Sequence, residues 1–223
     1  METRKGEARA DERPLRLHVG CGRSPIAGWT NLDIQALPGV DVVVDCARSL
    51  PFHDAEAVFA EHFLEHLRLD EGLAFLERAH RALGANGWLR LSTPNLDWVL
   101  ASQYPDWAHG EQRALNAVAL NRAFHGWGHQ FAWNAEALEL ALRATGFEAI
   151  RRAAFGESEL PFFRGIERHE TYPDLPGVPH VLIYEARKGA AQPELLARVR
   201  ETVRSELLAH LEPLPTEMAT GDD

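Results

Sequence analysis

The stretch LHVGCG, residues 17–22, is the strongest local signal of the fold. An apolar run over residues 15–19 has the character of a buried strand, and it leads into two glycines that are one residue apart. Glycine at the end of a strand lets the backbone turn sharply and lets a ligand approach the main chain closely. A Gly-x-Gly pair alone is also typical of a plain turn, so the residues that follow decide between the two interpretations.

Two further strand candidates end in aspartate. Asp33 closes the candidate at residues 29–34, and Asp45 closes the candidate at residues 41–45. Parallel strands present their carboxyl ends at one edge of a sheet, where open α/β sheets bind ligands. One carboxylate there can hold both hydroxyls of a ribose, and the next is placed to meet an adenine amino group. The alternative for either aspartate, taken singly, is a turn or cap residue.

Strand and helix patterns alternate along the rest of the chain, which predicts a parallel α/β sheet. A helix is predicted from Asn134, as its cap, to Gly146. Two late strands, 147–154 and 180–186, lack a full crossover helix between them and predict an antiparallel hairpin at one edge. The remaining candidates are strands at 57–60 and 88–92 and a helix with apolar spacing from Leu69 to Leu83.

Composition excludes several classes of protein. The 223 residues carry a formal net charge of −10 without a basic stripe, so nucleic acid is not an expected partner. Neither a membrane-length apolar run nor an N-terminal signal segment is evident, so we expect no membrane partner and a cytoplasmic location. The chain has only two cysteines, which are too few for a fold that depends on a framework of disulfides. Arginine far exceeds lysine, which favours a GC-rich bacterial source.

One domain accounts for most of the chain. We expect a disordered lead-in over residues 1–13, a main domain over 14–188, a helix within 189–212 and a frayed tail over 213–223. The last helix carries a stripe of leucine and valine. Packing of this stripe against its own sheet is the first interpretation, and a homodimer through it is the second.

The ordered motifs resemble a class I S-adenosylmethionine-dependent methyltransferase, and in particular the small type 11 group of bacterial members with a shortened first crossover. The resemblance covers roughly residues 15–188. It implies a Rossmann-like methyltransferase fold, with helices on both faces of a mostly parallel seven-stranded sheet of order 3-2-1-4-5-7-6. It also implies S-adenosylmethionine as cofactor and S-adenosylhomocysteine as product. The motifs that carry it are LHVGCG, GWTNLDI, DVVVDC, FAEHFLEHL, LERAHRALGANGWLRLSTPN and LRATGFEAI.

The resemblance assigns cofactor-binding roles residue by residue. Gly20 and Gly22 would pass under the methionine end of the cofactor, Asp33 would bind the ribose, and Asp45 would meet the adenine. His18 stands where the family often has an acid, which leaves the contact to the amino group of the cofactor open. The short connection between Gly22 and Asp33 leaves room for about two helical turns at most. The cofactor set is completed by His18, Cys21, Ile34, Cys46 and Glu61.

Histidines supply the candidate general bases. His62, with Glu61 as an alternative base or positioning group, follows the fourth strand, and His125 lies in the long segment after the fifth. The spacing H-x-x-x-H occurs at His62/His66 and at His125/His129, as in some helical metal sites. No third ligand motif accompanies either pair, so no metal is predicted. Glu65 and His66 read as structural polar residues.

Residues 94–133 read as an insertion that covers the acceptor. This segment holds seven of the 19 aromatic residues of the chain. We expect Trp127, His129 and Trp107 to face the acceptor, and Arg164 to meet an acceptor that carries negative charge. The alternatives are core packing under the insertion for the aromatic residues, and a solvated surface or a subunit contact for Arg164.

These observations predict methyl transfer to a small-molecule acceptor, at oxygen, nitrogen or carbon, in specialised metabolism or saccharide modification. A nicotinamide-dependent oxidoreductase is one alternative, although Pro25 stands where the third glycine of its fingerprint would be. A non-catalytic, methyltransferase-like binding protein is another. A methyltransferase acting on a protein is a third.

Overall fold

A computed structural model describes residues 14–169 and 172–211. Seven strands form one sheet. The strands are β1 (Arg16–Val19), β2 (Thr30–Asp33), β3 (Val42–Val43), β4 (Ala55–Glu61), β5 (Leu83–Pro94), β6 (Phe147–Arg152) and β7 (Val181–Lys188). The helices are α1 (Leu69–Ala82), α2 (Leu96–Gln103), α3 (Gly110–His125), α4 (Ala135–Ala144), α5 (Pro193–Val203) and α6 (Ala209–Leu211), with a π-helical segment at Arg204–Leu208 between the last two.

The strand order is β3-β2-β1-β4-β5-β7-β6. The first five strands are mutually parallel, and β7 runs antiparallel to both β5 and β6. The predicted Rossmann-like fold with its antiparallel edge hairpin is therefore confirmed. Val19 pairs with Leu32 on one side and with Ala60 on the other, so the ends of β1, β2 and β4 meet at one edge of the sheet.

Three strands differ from their predicted length by three residues or more, and one of them is β4, which has seven residues where four were predicted. The pattern at 41–45 predicted five residues, but β3 has two, because it lies at the edge of the sheet and pairs with β2 alone. Strand β5 is longer than predicted and takes in residues 84–87, which read as a turn. Ala55 pairs with Leu83 and Ala57 pairs with Trp88. Residues 84–87 of β5 therefore form an irregular bulge between these two pairs.

The two faces of the sheet are covered differently. Helices α1, α4 and α5 contribute buried apolar side chains to a large core on one face, among them Leu73, Leu138 and Val203. The other face carries a smaller apolar cluster around Trp29, Phe59 and Phe163. Its cover is made of loops and the short 3-10 turn Pro161–Phe163, so among the described residues the helices predicted for both faces are not found over this cluster. The connection between β1 and β2 contains no helix, in agreement with its short length.

The C-terminal helix packs on its own domain. Val203 is buried in the large core, and Val199 and Leu208 pack against it. Within the apolar stripe, Val199 and Val203 make these contacts, whereas Leu211 is 58% exposed, and a homodimer stays a prediction. The predicted lead-in at 1–13 and tail at 213–223 lie outside the described residues. Among the helices of the described ranges, none is both long and apolar enough to span a membrane.

Candidate functional site

The two glycines after β1 have different surroundings. Both adopt left-handed backbone conformations, with φ of 64° at Gly20 and 53° at Gly22. A Cβ at Gly20 would lie 2.8 Å from Cδ2 of Phe63, whereas a Cβ at Gly22 would meet nothing within 4 Å. Packing therefore requires the first glycine, and the second leaves an open surface of main chain at the end of the strand.

Asp33 connects this glycine turn to the end of β2. One carboxylate oxygen accepts the amide hydrogen of Gly22 at 2.8 Å, and the other accepts that of Gln35 at 2.9 Å. The next residue, Ile34, is 64% exposed although it is apolar. The edge of the sheet thus presents a fixed carboxylate beside an exposed apolar side chain, which suits a ribose next to a planar base.

Asp45 and the two cysteines complete this edge. The Asp45 carboxylate accepts the amide hydrogen of Ala47 at 3.0 Å, as a turn residue does. Burial raises the pKa of the Cys46 thiol to about 12, and burial also raises the pKa of Cys21. Both thiols are therefore protonated near neutral pH and are poor nucleophiles.

His18 is not presented at this edge. Its ring is buried, stacks on Phe59 at 5.1 Å between centroids, and makes a 3.1 Å hydrogen bond to Asn31. Burial lowers the pKa of His18, which favours the neutral ring. Nδ1 is therefore engaged by Asn31, and the ring supports β1 from the loop-covered face, where it stacks on Phe59.

A cavity of about 580 Å³ lies beyond the ends of β4 and β5. The insertion at 94–133 supplies one wall, which includes the predicted residues Trp127 and His129. Five histidines line the cavity, an unusual concentration of one side chain. The lining residues are His62, Glu65, His66, Pro94, Trp98, Val99, Gln103, Arg122, Ala123, Trp127, His129, His169, Tyr172 and His180.

His62 is held firmly in the wall of this cavity. Its Nδ1 lies 2.8 Å from Oε1 of Glu65, which is 1% exposed and also accepts the Thr93 hydroxyl at 3.1 Å. Burial alone would lower the pKa of His62, but the hydrogen bond and the charge of Glu65 outweigh it and raise the pKa. Nε2 is buried and has no hydrogen-bond partner among the described residues.

Glu61 anchors a distant segment instead of facing the cavity. Its carboxylate accepts the amide hydrogens of Arg168 and His169 and lies 2.5 Å from Nδ1 of His169. Burial would raise the pKa of Glu61, but these donors outweigh it and hold the pKa below its ordinary value. Glu61 therefore fixes His169 in the cavity wall, and its oxygens are already taken by donors from the chain.

A cluster of buried ion pairs also anchors the segment that contains Arg168 and His169. Arg90 is fully buried and donates to Glu167 and Glu185, each at 2.5 Å. Arg151 pairs with Glu185 at 2.7 Å. Glu167 also accepts the amide hydrogen of Gly156 at 3.0 Å. The cluster ties residues 154–169 to the loop-covered face of the sheet.

Besides Glu61, three predicted site residues are not brought to the cavity. His125 is exposed near the end of α3, and Trp107 is 75% exposed. Arg164 is exposed and donates to the Ser158 carbonyl at 2.7 Å. None of the three is among the lining residues.

Several residues that line the cavity were not predicted as site residues from the sequence. Glu65 read as structural, and His169 and His180 lie far from the insertion along the chain. No local spacing connects these residues. A search for His and Glu near the carboxyl ends of several strands is the signal that would have found them.

A sequence-family model described as a methyltransferase domain matches residues 18–151. The chain belongs to the methyltransferase-domain family. The predictions of a transferase enzyme and of S-adenosylmethionine as its cofactor are confirmed. The matched region contains His62, the insertion at 94–133 and the edge of the sheet that carries Gly20, Gly22, Asp33 and Asp45, which we call the glycine edge.

Solved structures of methyltransferases share this fold. A S-adenosylmethionine-dependent methyltransferase from Archaeoglobus fulgidus is 17% identical, covers 78% of this chain and 86% of its own, and has a TM-score of 0.50. One from Thermotoga maritima is 15% identical, covers 80% and 84%, and also has a TM-score of 0.50. No curated protein sequence matches the methyltransferase.

Proposed function

We propose that this methyltransferase methylates a hydroxyl or an amine of a small molecule bound in the cavity, with His62 as general base. The observation that carries the proposal is the unpartnered Nε2 of His62 in the cavity wall. The next residue, Phe63, contacts Gly20 at the cofactor edge. The base thus lies between the two regions where donor and acceptor would be held.

The glycine edge fits the cofactor. S-adenosylmethionine supplies a methyl group made electrophilic by the sulfonium. The open main chain at Gly22 allows close approach of its methionine end, and Asp33 retains free lone pairs on both oxygens for the ribose hydroxyls. Ile34 would cover one face of the adenine, and Asp45 lies at the end of the neighbouring strand to accept from its amino group.

The cavity fits a small acceptor. Its volume of about 580 Å³ lies within the range of pockets that bury small ligands. Trp98, Trp127 and Tyr172 give it aromatic walls, while Gln103 and Arg122 offer polar contacts. An acceptor with an aromatic or other flat apolar part and an oxygen or nitrogen nucleophile suits this lining.

The hydrogen bond to Glu65 defines what His62 can do. A carboxylate only accepts, so Nδ1 carries the proton and Nε2 keeps its lone pair. That lone pair can take the proton of the acceptor as the new bond to the methyl carbon forms and the sulfur–carbon bond breaks. The chain otherwise aligns donor and acceptor and excludes water.

The first test is calorimetric titration with S-adenosylhomocysteine, with NADH as control. We expect binding of the former alone, and the reverse result would overturn the assignment. A panel of phenols, sugars and primary amines would then be screened for release of S-adenosylhomocysteine.

With a productive acceptor, His62→Gln should lower kcat by about 10²–10⁴-fold and leave the affinity for S-adenosylhomocysteine within about twofold. His53→Gln, a change at an exposed histidine outside the cavity, is the matched control. An unchanged kcat in His62→Gln would exclude His62 as the base.

A further inference from the structure

We propose that Glu65, His66 and His129 form a binding site for a divalent first-row transition-metal ion in the wall of the cavity. Each side chain offers a ligand atom, and these atoms all lie within 4.8 Å of one another. Two imidazoles and one carboxylate form a donor set that zinc and ferrous iron use in proteins. All three residues line the cavity in which the acceptor would bind.

Backbone carbonyls orient both imidazoles. Nδ1 of His129 lies 3.0 Å from the carbonyl oxygen of Ala123, and Nδ1 of His66 lies 3.4 Å from that of Gly128. A carbonyl oxygen only accepts, so each Nδ1 carries the proton and each Nε2 keeps a lone pair. Histidines that bind metal ions typically donate their other ring hydrogen in this way.

Glu65, the third proposed ligand, is a buried carboxylate. Glu65 is 1% exposed, and within the described part of the chain its one ion-pair partner is His62. Its oxygens accept two hydrogen bonds, from His62 and Thr93, which leaves lone pairs free for an ion. A buried carboxylate without a lysine or arginine beside it is costly, and a cation among two neutral imidazoles offsets that cost.

The segments that carry the ligands are fixed beside each other. The amide hydrogen of Gln130 is donated to the carbonyl oxygen of Glu65 at 2.7 Å, and the rings of His66 and His129 are 5.2 Å apart. Ligand atoms in a tetrahedral zinc site are separated by about 3.3 Å. The ligand atoms must therefore close in by up to about 1.5 Å, which the exposed His66 and the half-buried His129 can do by side-chain rotation.

Three protein ligands leave a coordination position open toward the cavity. If the proposed function holds, a hydroxyl of the acceptor would take this position, where the ion lowers its pKa. Nε2 of His62, the base of the proposed function, would receive the hydroxyl proton. The oxygen–carbon bond forms as the sulfur–carbon bond breaks, giving the methyl ether and S-adenosylhomocysteine. The inference thus favours acceptors with an oxygen nucleophile.

Zinc titration of the metal-free, full-length chain tests the site. We expect one Zn²⁺ per chain by calorimetry and a visible absorption band of tetrahedral geometry when Co²⁺ replaces it. His129→Ala and Glu65→Gln should each weaken zinc binding by at least about 100-fold and abolish the cobalt band. His53→Ala, at an exposed histidine outside the cavity, should bind as the wild type does.

Binding of S-adenosylhomocysteine is measured in parallel for every variant, which shows that each one is folded. Wild-type chain that binds S-adenosylhomocysteine but no zinc would overturn the metal site and leave the methyltransferase assignment intact. Equal zinc affinity in wild type and His129→Ala would overturn it as well. Zinc binding without S-adenosylhomocysteine binding would instead overturn the proposed function and retain the site.

Discussion

The glycine edge and the cavity lined by five histidines lie next to each other, but they are formed by different parts of the chain. The glycine edge comes from one continuous segment, residues 20–46, in which strand ends and backbone amides do most of the work. The cavity is assembled from side chains between His62 and His180, held by hydrogen bonds and by a buried ion cluster. A site made of local backbone geometry withstands changes elsewhere, whereas an assembled site depends on distant anchors.

The largest effect on stability is expected from removing Arg90, the fully buried arginine of the ion cluster that anchors the cavity wall. Among the described residues, Arg90→Met leaves the buried Glu167 without an ion-pair partner and leaves Glu185 with Arg151 alone. Loss of one member of a buried ion pair costs about 3–5 kcal/mol, so urea denaturation should show a fall of that size in the free energy of unfolding. Arg143→Met, which removes an exposed ion pair with Glu139, should change it by less than about 1 kcal/mol. Equal effects would contradict the anchoring role.

The next largest effect is expected at the glycine edge, on the affinity for the cofactor product. Asp33→Ala removes the carboxylate that fixes Gly22 and would hold the ribose. We expect the affinity for S-adenosylhomocysteine to fall by about 100-fold or more, or about 2.7 kcal/mol, since two charge-assisted hydrogen bonds to ligand are lost. Zinc binding should stay unchanged in the same variant. Retained affinity in calorimetry would remove Asp33 from the cofactor site.

A smaller effect is expected from the anchor at Glu61. Glu61→Gln should lower the free energy of unfolding by about 1–3 kcal/mol at neutral pH, because the charge that holds His169 and the amide of Arg168 is lost. The folded pKa of Glu61 lies below its ordinary value of 4.5. The difference between wild type and variant should therefore be full above about pH 4.5 and vanish as pH falls through the folded pKa. A difference that grows toward acid would contradict this assignment.

The smallest effect separates two exposed tryptophans of the insertion. Trp127 lines the cavity and Trp107 does not. Trp127→Ala should raise KM for a productive acceptor by about 5–10-fold, or about 1 kcal/mol, with little change for S-adenosylhomocysteine. Trp107→Ala should change neither value. Equal effects on KM from the two variants would show that the insertion contributes bulk and not a specific contact.

The sequence allowed more of the cofactor side to be predicted than of the cavity. Gly20, Gly22 and Asp33 are close in the chain, and the need for left-handed glycines at a strand end is a local property of the backbone. Glu61 and His125 were both reasonable as bases from their motifs. Only the fold shows that the former binds His169 and that the latter faces solvent, because side-chain direction depends on what packs beside each element.

Periodicity and turn chemistry, which act over a few residues, predicted the strand and helix segments and the glycine edge, and the resemblance of the ordered motifs to a methyltransferase implied the strand order. The sequence also placed an aromatic insertion after β5. Tertiary structure alone decided that Glu65, His66 and His129 converge, that His62 keeps a free nitrogen, and that Arg90 holds a loop across the second face. Those arrangements join residues that are up to 95 positions apart, as in the bond from Arg90 to Glu185. No local pattern records such pairings, because they exist only once the sheet has brought the segments together.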